Sequence, residues 1–227
     1  MYFDPLWLML AIPGFLLGAI AQIKLSSTYK KYVRIPAESN ITGAHAAREI
    51  LDRAGLEEME VQEVPGHLTD HYDPMRRALF LSSENYRGRS LAAVGVAAHE
   101  AGHALQHQTG YALLRFRMFL VPTTNFATQA AFWLVMLGGA LNVMGFFLVG
   151  FVLYGIITLF QAVTLPVEFD ASRRAKRELL RLGIVHDRES GGISKVLNAA
   201  ALTYVAALVT AALQLLYFFI RSRSSRD

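Results

Sequence analysis

Met118–Val167 carries no charged side chain, and this stretch constrains the chain more than any other feature. A helix crosses the hydrocarbon core of a bilayer with roughly 17–25 apolar residues. The stretch is too long for one crossing and suits two, with a turn expected from Gly138-Gly139 to Asn142. Leu6–Ile23 is another uncharged run of spanning length, and Val196–Ile220 is a further one, ending against Arg221 and Arg223. Hydrophobic residues make up 53% of the chain, and such clustering excludes a water-soluble globule. The pattern predicts an integral membrane protein of about four transmembrane helices. A polar portion lies between the first and second.

The first run also resembles a signal peptide, since Ala19-Ile20-Ala21 has the form of a cleavage site. Met1–Pro5 lacks the positive leading region such peptides carry, however, and Asp4 has the wrong sign. The run is therefore read as a retained anchor. Lys24, Lys30, Lys31 and Arg34 follow it, and basic residues at span ends favour the cytoplasm. Residues 24–117 are thus expected inside and the N-terminus outside. Arg173, Arg174, Lys176, Arg177 and Arg181 follow the third span and agree. Arg221, Arg223 and Arg226 conflict, because a fourth crossing puts them outside, so that crossing stays open at this point. The net charge of +4 comes largely from these clusters. Topology and lipid head groups account for it, and nucleic acid is not an expected partner. Cysteine is absent, which excludes disulfides, thiolate catalysis and cysteine zinc sites.

Within the polar portion stands His99-Glu100-Ala101-Gly102-His103, an instance of H-E-x-x-H. In a helix, two histidines four residues apart share one face and can close on a single Zn²⁺. Glu100 projects about 100° round from His99, placed to act as general base without ligating the ion. Ser90 is a suitable cap for a helix from Leu91 to Gln108, with Gly110 as its stop. Leu91, Val94, Ala98, Gly102 and Leu105 form an apolar stripe on it, so the helix is expected to be packed.

Residues 26–41 read as a linker rich in serine, with Pro36 and Asn40. Thr42 caps a short helix, Gly43–Ala54, stopped by Gly55. Met59–Val64 and Ala78–Ser82 read as short strands, joined through the turn-rich segment Pro65–Pro74. A strand edge beside the metal helix would suit an extended peptide.

A catalytic zinc needs three protein ligands and an open position. His107 lies about 12 Å from His99 along the helix axis, too far for a shared ion. Glu168 is the expected third ligand, because a membrane hairpin returns the chain beside the helix it left. The alternative is a carboxylate at a helix start, paired with the dipole.

Three strings carry a resemblance: GHLTDHYDP at Gly66–Pro74, AAVGVAAHEAGHALQHQTGYALLR at Ala92–Arg115, and LPVEFDASRRA at Leu165–Ala175. The chain resembles the membrane-bound neutral zinc metallopeptidases typified by the YugP-like proteins, over nearly its whole length. It is more distantly similar to the HtpX and CAAX-processing membrane peptidases. In those gluzincins the ligand helix reads E-x-x-x-D, and the Asp orients a zinc histidine. Here Ser172 takes the Asp position and Asp170 lies two residues past Glu168, leaving open what supports the histidines.

The resemblance implies a zinc endopeptidase acting on protein or peptide substrates. The fold class expected is mainly α, polytopic, with a small α+β zincin-like cytoplasmic portion. Residues 1–25 are expected to form the N-terminal anchor. Residues 26–117 would be the cytoplasmic region and 118–167 the membrane hairpin. The Glu168 helix and a basic loop occupy 168–195, and a final span and basic tail occupy 196–227. His99, His103 and Glu168 would hold Zn²⁺ with Glu100 as base, at the cytoplasmic face of a multi-pass cell-membrane protein, bacterial by expectation. Tyr72, His71 and Arg173 are all candidates for the oxyanion partner. A site-2-type intramembrane protease fits less well, since no span carries an Asp. A silent metal-binding adaptor is the alternative of another class, but it has no need of Glu100. A transporter lacks ionisable residues in the spans. Substrate, specificity and oligomeric state are not legible here.

Overall fold

The computed structural model describes residues 4–141 and 144–223 and is mainly helical. The elements run α1 (Pro5–Tyr32), α2 (Gly43–Arg53), β1 (Glu60–Val64), β2 (His71–Asp73), β3 (Ala78–Ser82), α3 (Ser83–Arg87), α4 (Leu91–Gln108), α5 (Ala112–Leu141), α6 (Met144–Arg181) and α7 (Asp187–Arg223). Among the described residues, three helices are long and apolar enough to cross a membrane: α1, Gly145–Arg181 within α6, and α7. The chain divides into two units whose boundaries fall inside α1, α6 and α7 and near the start of α5.

The first unit comprises residues 1–22, 115–166 and 202–227. Its outward surface is apolar, with Phe15, Phe119 and Phe126 each more than 70% exposed. Such faces are costly in water and suit a hydrocarbon solvent. Thr210 Oγ1 bonds the Ala206 carbonyl of its own helix at 2.8 Å and lies 3.2 Å from the Gly14 carbonyl, where α7 meets α1. At the far end of the same pair, Asp4 accepts from Tyr217 at 3.1 Å and meets Arg221 at 3.2 Å. Helix α5 runs to Leu141, so Gly138 and Gly139 are helical instead of forming the expected turn. The rest of that turn, Asn142, lies outside the described residues, as does Arg226.

The second unit comprises residues 23–114 and 167–201. Its core is built round α4, where Ala92, Val94, Ala97, Ala98, Ala101 and Ala104 are fully buried. Small side chains there let neighbouring helices approach α4 closely. Ile50 and Leu51 of α2 and Leu79 and Leu81 of β3 pack into the same cluster. Each contributes about 1.5–3 kcal/mol by leaving water. The sheet order is β1-β3-β2, with β1 parallel and β2 antiparallel to β3. Central β3 is buried along its whole length, as an uninterrupted apolar run predicts.

Two expectations need correction. Helix α1 continues to Tyr32, so residues 26–32 are helical and the linker begins only after them. Ser27 Oγ bonds back to the Lys24 carbonyl, which accommodates a serine inside a helix. Glu168 also lies deep inside α6 rather than at a helix start, because α6 runs on through Pro166. That removes the helix-dipole explanation for Glu168.

Candidate metal centre

The metal helix forms where its sequence signals place it. Ser90 Oγ accepts from the Ala93 amide at 3.1 Å at one end. At the other end Gly110 adopts φ +64°, the left-handed conformation that stops a helix. His99 and His103 therefore stand one turn apart, with ring centroids 4.8 Å from each other. Helix α6 crosses close to α4 at this level. A Cβ at Gly102 would sit 2.5 Å from the Ala171 carbonyl oxygen, so only glycine permits the approach. The approach delivers Glu168, which is almost fully buried. Its Oε2 lies 3.2 Å from His99 Nε2 and 3.6 Å from His103 Nε2.

The three ligand atoms lie within 4.8 Å of one another. Two imidazole nitrogens and a carboxylate oxygen turned inward on one point need either protons or a cation between them. Two His and one Glu, with a fourth position open, is the donor set of a catalytic zinc. The residues present therefore fit zinc. His107 stands apart from this group, its Nδ1 2.7 Å from the Tyr72 hydroxyl.

The far sides of both rings are held. Ser172 Oγ lies 3.1 Å from His99 Nδ1. Gln106 Oε1 lies 3.0 Å from His103 Nδ1, while Gln106 Nε2 donates to the Val167 carbonyl at 2.8 Å and to Asp170 Oδ2 at 3.0 Å. Arg174 Nε then donates to the same Asp170 oxygen at 2.6 Å. Sequence reasoning did not single out Gln106. Its i+3 spacing from His103 was the available signal, since residues so spaced meet on a helix.

Glu100 is 8% exposed. Burial raises its pKa to about 7, helped by the charges of Glu168 and Asp70, while His99 and a backbone hydrogen bond from Tyr72 pull the other way. Tyr72 lies on β2, which packs against α4, and burial raises its phenol pKa. Of the three oxyanion candidates, Tyr72 is the one bonded to Glu100, through its backbone amide, while its phenol bonds His107 Nδ1. The His71 ring is exposed and bonds the Thr69 carbonyl through Nδ1, and the Arg173 side chain is 75% exposed. The loop before β2 is tied down by Asp70, which accepts from the Ser82 amide and from Asn85 Nδ2, both at 2.8 Å. Strand β2 was read as part of a turn-rich segment. Three residues are too few to show alternation, and its pairing to β3 is tertiary.

Comparison with known proteins gives the family. The family described as "Putative neutral zinc metallopeptidase" matches residues 7–223. The chain is 45% identical over 225 residues to "Putative membrane protease YugP" of Bacillus subtilis (strain 168), covering 98% of this chain and 99% of the relative. No solved structure matches the chain. With its ligand-type residues gathered on α4 and α6 and the match running nearly end to end, this chain belongs to the neutral zinc metallopeptidase family that includes the YugP-like membrane proteins.

Proposed function

We propose that the chain is a membrane-embedded zinc endopeptidase hydrolysing peptide bonds at the cytoplasmic membrane surface. His99, His103 and Glu168 are assigned as ligands and Glu100 as general base. The observation carrying this reading is Glu100, a buried carboxyl next to the converging ligand atoms. A site that only stores metal has no use for such a group. Zinc, when bound, polarises the scissile carbonyl and makes a nucleophile available at neutral pH. Glu100 takes the proton of the attacking water and passes it to the leaving amine. Ser172 and Gln106 keep the two rings aimed at the cluster throughout. The outer edge of β2 is offered to an extended substrate as a pairing partner.

The assigned topology has four crossings, in α1, α5, α6 and α7. Lys24, Lys30, Lys31 and Arg34, with Arg173–Arg181, mark the cytoplasmic side. Residues 26–117 and 168–195 then lie inside. Arg221 on the outer side is supported by its pairing with Asp4, which neutralises the charge that disfavours that location.

The test is the zinc content of detergent-purified protein, side by side with casein cleavage by wild type and Glu100→Gln. Equimolar zinc in both, with cleavage by wild type alone, is the expected result. Equal cleavage by both removes Glu100 as base, and no zinc in either overturns the assignment. Zinc without cleavage in either protein returns the adaptor reading.

A further inference from the structure

We infer that Gln106 is a positioning residue that holds a proton on Nδ1 of His103, and that Val167 and Asp170 of α6 orient it for this task. A backbone carbonyl only accepts hydrogen bonds. The Gln106 atom 2.8 Å from the Val167 oxygen is therefore its amide nitrogen. The second hydrogen of that nitrogen goes to Asp170 Oδ2 at 3.0 Å. Gln106 Oε1 is left to face His103 Nδ1 at 3.0 Å, and an amide oxygen also only accepts. Nδ1 of His103 therefore carries a proton, and Nε2, the atom turned towards Glu168, is left as the one that can face an ion; without an ion it meets the Glu168 carboxylate. Flipping the amide would set its oxygen against both the Val167 carbonyl and the Asp170 carboxylate. Gln106 is fully buried, so no solvent relieves that clash.

The relay also sets where charge lies. In many zinc sites a carboxylate touches the ligand histidine directly. Here the carboxylate of Asp170 stands one amide farther away and is held by Arg174, whose second nitrogen reaches Thr109 Oγ1 at 3.3 Å. Both candidate zinc histidines thus rest on uncharged partners, Ser172 and Gln106. The consequence for zinc affinity rests on the zinc reading above, whereas the proton on Nδ1 does not.

The experiment uses full-length, detergent-purified protein in two arms. In the first, ring ¹⁵N NMR is recorded on metal-free, histidine-labelled protein. His103 is expected to carry a proton on Nδ1 in wild type, whether or not Nε2 shares one with Glu168, and Gln106→Leu is expected to shift the ring towards the form protonated on Nε2 alone. A wild-type His103 carrying its only proton on Nε2 overturns the inference. In the second, zinc affinity is measured by chelator competition, and Gln106→Leu is expected to bind about 10–100-fold more weakly. Should Gln106→Leu fail to fold, Asp170→Ala carries both arms, with a partial tautomer shift and about fivefold weaker zinc binding. Affinity within about twofold of wild type together with an unmoved tautomer overturns the inference. Wild type that binds no zinc sinks the zinc reading instead, and the NMR arm still decides the tautomer.

Discussion

Ser172 Oγ lies 3.1 Å from His99 Nδ1, one helical turn beyond Glu168 on α6. A serine thus occupies the place where the resembling gluzincin pattern has an aspartate, and it reaches His99 Nδ1 without a charge. Ser172→Ala should weaken zinc binding about tenfold, as losing such a support commonly does. Ser172→Asp should bind at least as tightly as wild type. Chelator competition on the purified proteins measures both, and an Ala variant with unchanged affinity would show that the contact does nothing for the ring.

Glu168 and His107 make a contrasting pair. Glu168 lies against both histidines of the motif, whereas His107 bonds Tyr72. Glu168→Ala should be purified without zinc, and His107→Ala should keep a full complement. Metal analysis of the two proteins gives the answer, and zinc retained by Glu168→Ala would exclude it as a ligand.

Gly102→Ala should damage fold and site together. The added Cβ would meet the Ala171 carbonyl at 2.5 Å, forcing α6 and its Glu168 away from α4. A loss of about 1–3 kcal/mol is expected, together with reduced zinc content. Gly191→Ala is the control, since nothing lies within 4 Å of its Cβ position and the site is helical. It should be neutral or stabilising by about 0.5–1 kcal/mol. Thermal melts of both variants decide the matter.

The buried Glu100 carboxyl predicts a pH-dependent gain from Glu100→Gln in metal-free protein. A carboxyl with a raised folded pKa contributes its full stability below the ordinary carboxylate range and loses it as pH rises through its folded value, here about 7. The variant should melt like wild type near pH 4.5 and progressively above it by pH 8. The difference should reach about 2–4 kcal/mol, taking about 1.4 kcal/mol per pKa unit. A pH-independent difference would mean that Glu100 is not desolvated as described.

The absence of cysteine makes the topology directly testable. Asn40→Cys should react with a membrane-impermeant maleimide only after cells are permeabilised, and Ser222→Cys should react from outside. Labelling of both from the same side would remove the fourth crossing. The reverse pattern would place the candidate site outside the cell.

What the sequence determined by itself was local or compositional. The Leu91–Gln108 helix follows from Ser90, a helical apolar stripe and Gly110, all within one short segment. The spanning helices follow from uncharged runs that have no soluble alternative. Glu168 as a partner of the histidines was legible only from the expectation that the apolar stretch between them folds back and returns its two ends to one place. Tertiary structure decided the rest. Strand β2 exists because β3 supplies its hydrogen bonds, and residues 26–32 stay helical because α1 propagates past its apolar stretch. The roles of Ser172 and Gln106 depend on the angle at which α6 crosses α4, set by the missing side chain of Gly102. Hydrogen-bond direction is fixed to fractions of an ångström between residues more than sixty positions apart. No local periodicity encodes such a distance, and only the packed pair of helices does.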